Sequence, residues 1–267
     1  MTIKTHARWL AMAAALALGA CETVPPPPPP PADAPVAVPA FLAAALADAN
    51  RPEVDRARDA ARKPGEVLVF AGLKPGMKVI DLIPGGGYFT RIFSLAVGPK
   101  GRVYAYVPDE LTKIAKREPA VNAIASDPAF RNLKVILRVL PLFGAPEKVD
   151  MVFTAQNYHD MHDAFMGPAD LAVVNRQVFK ALKPGGVYIV IDHTAKAGSG
   201  LSATETLHRI DPAVVRREIE AAGFVFEGES QLLRNPRDPL TGNVFDAPIR
   251  GKTDQFFYRF RKPRGAR

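Results

Sequence analysis

The chain has 267 residues, 48% of them hydrophobic and 23% charged, with 35 Lys and Arg against 27 Asp and Glu. Such a make-up excludes a disordered or fibrous chain and leaves enough sequence to bury a real core. The net charge of +8 suits an anionic surface. Its basic residues are scattered, and the one stretch where they interleave with aromatics, Phe256 to Arg261, alternates as a strand does, which argues against nucleic acid as a partner.

Residues 1–20 carry Lys4 and Arg8 and then an uncharged apolar run from Trp9 to Ala20. The run is shorter than the roughly 20 residues a permanent membrane helix needs, so a cleaved export signal is expected. Cys21 is the only cysteine, which rules out an intramolecular disulfide and a cysteine-based zinc site. Preceded by Leu18-Gly19-Ala20, it resembles the lipidated cysteine of bacterial lipoproteins, a resemblance that implies cleavage before Cys21 and a lipid on its thiol. The other reading is an incidental thiol in an uncleaved leader. Pro25 to Pro31 is an unbroken proline run, extended by Pro35 and Pro39, and reads as a stiff polyproline spacer. The expected organisation is therefore a signal at 1–20, a lipidated cysteine and proline-rich tether at 21–39, and one folded domain at 40–267. The domain would be held at a bacterial envelope membrane facing the periplasm.

From residue 40 onward, strand-like and helix-like segments alternate. Residues 40–62 are predicted helical with a break at Asn50-Arg51-Pro52, and Lys63-Pro64-Gly65 starts a short helix ending at Gly72. Strands are expected at 77–83, 102–107, 133–140, 151–155 and 187–191, the last so apolar that both its faces must be covered. Helices are expected at 88–97, 168–182 and 212–222, with a less regular helical stretch before residue 133. Residues 224–233 and 255–260 read as two closing strands, joined by a loop of about 20 residues rich in Pro, Gly and Asn. The pattern predicts one α/β domain with seven strands, mostly parallel, with helices on both faces and an antiparallel close.

The first strand ends in Asp81-Leu82-Ile83-Pro84-Gly85-Gly86-Gly87-Tyr88-Phe89-Thr90 and runs straight into a helix. Glycines there let the backbone turn tightly beneath a ligand, and the N–H groups of a helix start attract polar or anionic groups over the strand ends. The segment resembles motif I of class I S-adenosylmethionine-dependent methyltransferases, and in particular a branch of predicted methyltransferases carrying a Gly-Gly-Gly-Tyr-Phe-Thr loop. Leu73-Lys74-Pro75-Gly76-Met77, Leu182-Lys183-Pro184-Gly185-Gly186 and Asp150-Met151-Val152 are similar to that family's strand entries, and the resemblance covers roughly residues 64 to 262. It implies a Rossmann-like class I methyltransferase fold, S-adenosyl-L-methionine as cofactor, and methyl transfer to a small-molecule acceptor. Asp81 would then orient the amino group of the methionine moiety, with Gly85, Gly86, Gly87, Tyr88 and Asn157 completing the cofactor site.

The chain departs from the family pattern at three places. Ile83 stands where the family has a glycine, no acid closes the second strand at Val107, and Val139-Leu140-Pro141 replaces an acid near the adenine. Asp109 or Glu110 is the expected substitute for the ribose-gripping acid. A dinucleotide site is a rival reading of the loop, with Thr90 in place of its third glycine, and a purely structural turn is another.

His159 and His162 in Asn157-Tyr158-His159-Asp160-Met161-His162-Asp163, and His193 after Asp192, follow the fourth and fifth strands, where ligands bind in such folds. Tyr158, His159, Asp160 and His162 are the candidate catalytic residues, with an imidazole as general base. Purely structural roles for them are an equal alternative, and a metal set drawn from His159, His162, Asp160, Asp192 and His193 is a third; no metal is assigned. His208 is expected to be structural. The alternative function is a non-catalytic envelope module on an adapted methyltransferase fold. Oligomeric state is left open.

Overall fold

The computed structural model describes residues 36–167 and 169–266. The expectations for the signal, Cys21 and the proline run fall outside these residues.

Four short helices come first: α1 Ala40–Ala47, α2 Glu53–Arg56, α3 Asp59–Arg62 and α4 Pro64–Ala71. Proline cannot continue a helix from within, and Pro52 accordingly sits at the N-cap of α2, so the predicted 40–62 helix is broken into three. Next come β1 Lys78–Leu82, α5 Tyr88–Val97, β2 Arg102–Val107, α6 Asp109–Ala115, α7 Ala120–Ser126 and β3 Leu133–Leu137. The chain continues with β4 Val149–Ala155, α8 Leu171–Ala181, β5 Leu182–His193, α9 Thr204–Leu207, α10 Pro212–Ala221, β6 Val225–Glu229 and β7 Gln255–Arg261.

Several predicted boundaries move for local reasons. β3 stops at Leu137 because Leu140–Leu142, with Pro141, forms a 3-10 turn instead. The helix predicted from residue 168 begins at Leu171, where the Asp170 carboxylate accepts from the Ala172 and Val173 N–H groups. β6 ends at Glu229, after an irregularity between Phe226 and Gly228.

The seven strands lie in the order β3-β2-β1-β4-β5-β7-β6. The first five are parallel to one another, and β7 runs antiparallel between β5 and β6. Alternate residues of each strand feed two cores. Ile80, Tyr106, Val152 and Val190 pack on one face with α8 and α10, while Val79, Ala105, Phe153 and Ile191 pack on the other with α1, α4 and α5. Strand order reverses between β1 and β4, which leaves a crevice beyond their carboxyl ends. Helices α2 and α3 are pinned beside it: Arg51, fully buried, makes a two-pronged ion pair with Asp59, and Asp59 also accepts from the Tyr88 hydroxyl at 2.6 Å.

Candidate active site

The loop after β1 divides the crevice into two spaces that share Ile83, Pro84, Gly85 and Gly86. The smaller, of about 180 Å³, is mostly apolar: Val107, Leu111, Ala115, Pro119 and Ala120 wall it, with Thr112, Arg117 and Glu118 as polar neighbours. The larger, of about 270 Å³, is polar and lined by Arg58, Arg62, Asp81, Tyr88, Gln156, Asn157, His159, Asp160 and His193, with Val244 and Phe245 at its edge. A further space of about 550 Å³ continues from the same arginines, Gln156, His193 and Phe245 to Arg250.

Both strand ends that make the crevice carry a residue with left-handed backbone. Ile83, after β1, has φ 58°, and Gln156, after β4, has φ 66°. A left-handed conformation costs a β-branched residue on the order of 1–3 kcal/mol and persists only where surroundings over-determine it. Here the Ile83 N–H donates to the Tyr106 carbonyl at 2.9 Å, and Asn157 donates its amide to the Ile83 and Ala155 carbonyls at 3.0 and 2.6 Å. The conformation explains the glycine at the equivalent place in the family pattern. Asn157 reaches the cavity but acts as a clamp on the loop.

The glycines separate into two roles. A Cβ on Gly85 or Gly86 would meet nothing within 4 Å, so both leave open space over the loop. Gly87, at the N-cap of α5 with φ 82°, does not line either space; a Cβ there would lie 2.2 Å from the Ile124 side chain. Its requirement is first the left-handed backbone at the helix start and then the packing of Ile124 against it, which corrects the expectation that it lies beneath a ligand.

Asp81 is 3% exposed and accepts the Thr90 hydroxyl at 2.5 Å. Burial pushes its carboxyl up to about 6, against the opposing effects of Thr90 and the Arg62 charge. Burial and the nearby Arg58 lower Arg62 to about 10, so it stays charged at neutral pH, with its guanidinium 4.5 Å from the Tyr88 ring centre. Arg62 also donates to Gln156 at 3.2 Å.

The histidines diverge. His159 donates Nδ1–H to Asp192 at 2.8 Å and has Nε2 3.1 Å from Asp160; burial opposes its charge, but the two carboxylates raise its pKa to about 10. A ring so held carries a proton at neutral pH and cannot act as a general base, which corrects the role expected for it. Burial lowers His193 to about 4, and its ring, paired through Nδ1 with the Thr253 hydroxyl at 2.7 Å, is neutral. Tyr158 and His162 do not reach the cavity. Tyr158 is fully buried between Asn175 and Glu218, at 2.8 and 2.9 Å, and His162 pairs with Glu218 at 3.2 Å. Within the 3-10 turn His159–His162 the His159 ring is taken by Asp192 of β5 and the His162 ring by Glu218 of α10, so adjacency in sequence did not become adjacency in the site.

Sequence reasoning missed Arg58 and Arg62, whose place depends on how α3 docks and whose only signal was the spacing Arg58-xxx-Arg62 on one helical face, and Gln156, which directly follows β4. Asp109 and Glu110 do not line the smaller space, whose acid is Glu118. The long loop after β6 is ordered by a fully buried ion pair between Arg209 and Asp238 at 2.9 Å and delivers Val244 and Phe245 to the cavity edge.

No family model matches the chain. It is 26% identical over 183 residues, 66% of this chain and 68% of the relative, to a ubiquinone/menaquinone biosynthesis C-methyltransferase of Shewanella woodyi. A protein of the same description from Shewanella sp. is 29% identical over 184 residues, 67% of this chain and 69% of its own. Among solved structures, a SAM-dependent methyltransferase from Aquifex aeolicus superposes with a TM-score of 0.52 at 21% identity, covering 79% of this chain and 95% of its own. The [4+2]-cyclase SpnF superposes with a TM-score of 0.55 at 15% identity, covering 77% and 82%. The shared architecture is the Rossmann-like fold of class I methyltransferases.

Proposed function

We propose that this chain is a class I S-adenosylmethionine-dependent methyltransferase that transfers a methyl group to a small-molecule acceptor and does so tethered to a bacterial envelope membrane through a lipid on Cys21. The observation that carries the reading is the buried Asp81 carboxyl beside Gly85 and Gly86, whose missing side chains leave a cradle between an apolar and a polar space. S-adenosylmethionine fits this division. The apolar space suits a purine, with Thr112 and Glu118 as partners for a ribose, and Asp81 suits an ammonium group. When bound, the cofactor supplies an electrophilic methyl group.

The chain's own residues hold and screen the reactants. Asp81 fixes an ammonium by charge, and Arg58, Arg62 and Arg250 make the polar end positive, which suits the donor's carboxylate and an acceptor bearing negative charge. Val244 and Phe245 narrow access of water. Alignment of donor and acceptor contributes most of the rate in such a transfer. His193, neutral and at the wall shared by the polar spaces, is the acceptor-side group placed to hydrogen-bond an acceptor.

Calorimetric titration of the purified full chain with S-adenosylmethionine tests the reading, alongside Asp81→Ala and Gly86→Val. Saturable binding by the parent, lost in both variants, is expected. A folded parent that does not bind would support the second reading, a non-catalytic envelope module, which is favoured by the missing acid at the end of β2 and by the fold's use in a [4+2]-cyclase.

A further inference from the structure

Beside the proposed acceptor space, the turn after β4 and the end of α9 bring together three groups that are 49 residues apart in the chain at their extremes, His159, Asp160 and His208. One nitrogen or oxygen of each lies within 4.8 Å of the others. His159 Nε2 is 3.1 Å and His208 Nδ1 3.9 Å from the same Asp160 oxygen. Donors around one four-coordinate zinc ion, at about 2.0–2.1 Å each, stand roughly 3.4 Å apart, so side-chain adjustments of an ångström or less would close the set.

Two independent features mark this cluster as more than an ion pair. His159 gives its Nδ1–H to Asp192, which is fully buried and itself fixed by the His159 and His193 backbone N–H groups at 2.8 Å. A carboxylate on one imidazole nitrogen, leaving the other directed at further donors, is the outer-sphere arrangement that orients metal-binding histidines. Asp163, one turn on, is 2% exposed and has no side-chain partner among the described residues beyond the Thr204 hydroxyl. A buried carboxylate held by at most one hydroxyl is costly, and a neighbouring cation relieves that cost. His208 is held in a left-handed conformation, φ 53°, with its ring 5.6 Å from that of His159 and 4.9 Å from that of Phe245.

We propose that His159, Asp160 and His208 bind one divalent transition-metal cation of the zinc class, which displaces to solvent the proton on His159 Nε2, with Asp192 as the positioning residue of His159. Two imidazoles and one carboxylate favour such a cation over magnesium or calcium, which take oxygen ligands. His159 and Asp160 also line the larger cavity, so the cation's open side faces the acceptor space and would polarise an acceptor oxygen. The set differs from the one read from sequence: His162 is engaged by Glu218 and His193 by Thr253. The inference does not depend on the methyl donor.

Full chain stripped with a chelator is titrated with Zn²⁺ by calorimetry and with Co²⁺ by visible absorption. One equivalent of Zn²⁺, and Co²⁺ d–d bands of a low-symmetry site, are expected. Asp160→Asn and His208→Ala each weaken Zn²⁺ binding about tenfold or more, Asp192→Asn weakens it about 10- to 100-fold, and His162→Ala leaves it unchanged. His208 is 26% exposed, so its variant should fold, which circular dichroism checks. No binding by the folded parent, or equal affinity in parent, Asp160→Asn and His208→Ala, would overturn the proposal; the latter would place the metal on other groups, Cys21 included.

Discussion

Asp81 sets the pH behaviour of the site. Its pKa in the folded chain is raised to about 6 by burial, with Thr90 and Arg62 opposing. The fold therefore favours the protonated acid: the stability it contributes is full below the ordinary carboxyl pKa and is lost as pH rises through about 6. A cationic ammonium group needs the ionised form. Affinity for S-adenosylmethionine should accordingly fall about tenfold per pH unit below 6 and be flat above 7, and Asp81→Asn should bind weakly with no such slope. Titrations between pH 5 and 8 check this, and a slope that survives in the variant would assign it to another group. Gly86 offers the complementary test. Open space surrounds its Cβ position, so Gly86→Val should unfold within about 0.5 kcal/mol of the parent while losing the ligand; equal losses in both measurements would mean a structural glycine. Asp81 and this loop were legible in the sequence because a strand, a turn and a helix start are set by neighbouring residues. The roles of Tyr158 and His162 were not, because a single 3-10 turn decides which side of the strand end each side chain faces.

Among the elements, the long segment between β6 and β7 shows how an irregular stretch can be held as firmly as a helix. Arg209, just after α9, is fully buried and reaches Asp238 with two nitrogens, at 2.9 and 3.1 Å, and the Thr194 and Gly242 carbonyls with two further donors. Asp238 in turn accepts from the Leu240 and Asp254 N–H groups. Removing one partner strands a buried charge, so Arg209→Ala should cost about 3–5 kcal/mol in urea unfolding and loosen the loop that carries Phe245. A loss below 1 kcal/mol would show that water reaches the site. Burial opposes ionisation of Asp238, but those N–H groups and Arg209 hold its pKa below the ordinary value. This contribution is present above the unfolded pKa and is lost as pH falls through the folded one. The sequence marked this stretch only as a loop, since neither Arg209 nor Asp238 carries a local sign of its distant partner.

For the whole molecule, the proposed tether and the proposed cofactor pull in different directions. S-adenosylmethionine is made in the cytoplasm, and a lipid-anchored domain facing the periplasm needs its donor delivered or a ligand of another kind. No helix among the described residues is long and apolar enough to cross a membrane; the proposed attachment is the lipid on Cys21. Cys21→Ala should abolish incorporation of a labelled fatty acid and leave the signal uncut. Equal labelling of parent and variant, read with fractionation of the cell, would rule out the lipid anchor and return the domain to the compartment where its donor is made.

Composition, the alternation of apolar segments and the Asp81–Gly87 loop determined the α/β class, the mostly parallel sheet and the position of the site at the strand ends. These follow from periodicity and backbone conformation, which act over a few residues. The tertiary structure alone decided that Arg58 and Arg62 share a cavity with Asp81, that Glu118 rather than Asp109 or Glu110 borders the apolar space, and that His208 joins His159 and Asp160. Those meetings depend on how helices and loops far apart in the chain dock on the sheet, and packing across such distances leaves no periodic trace in the sequence.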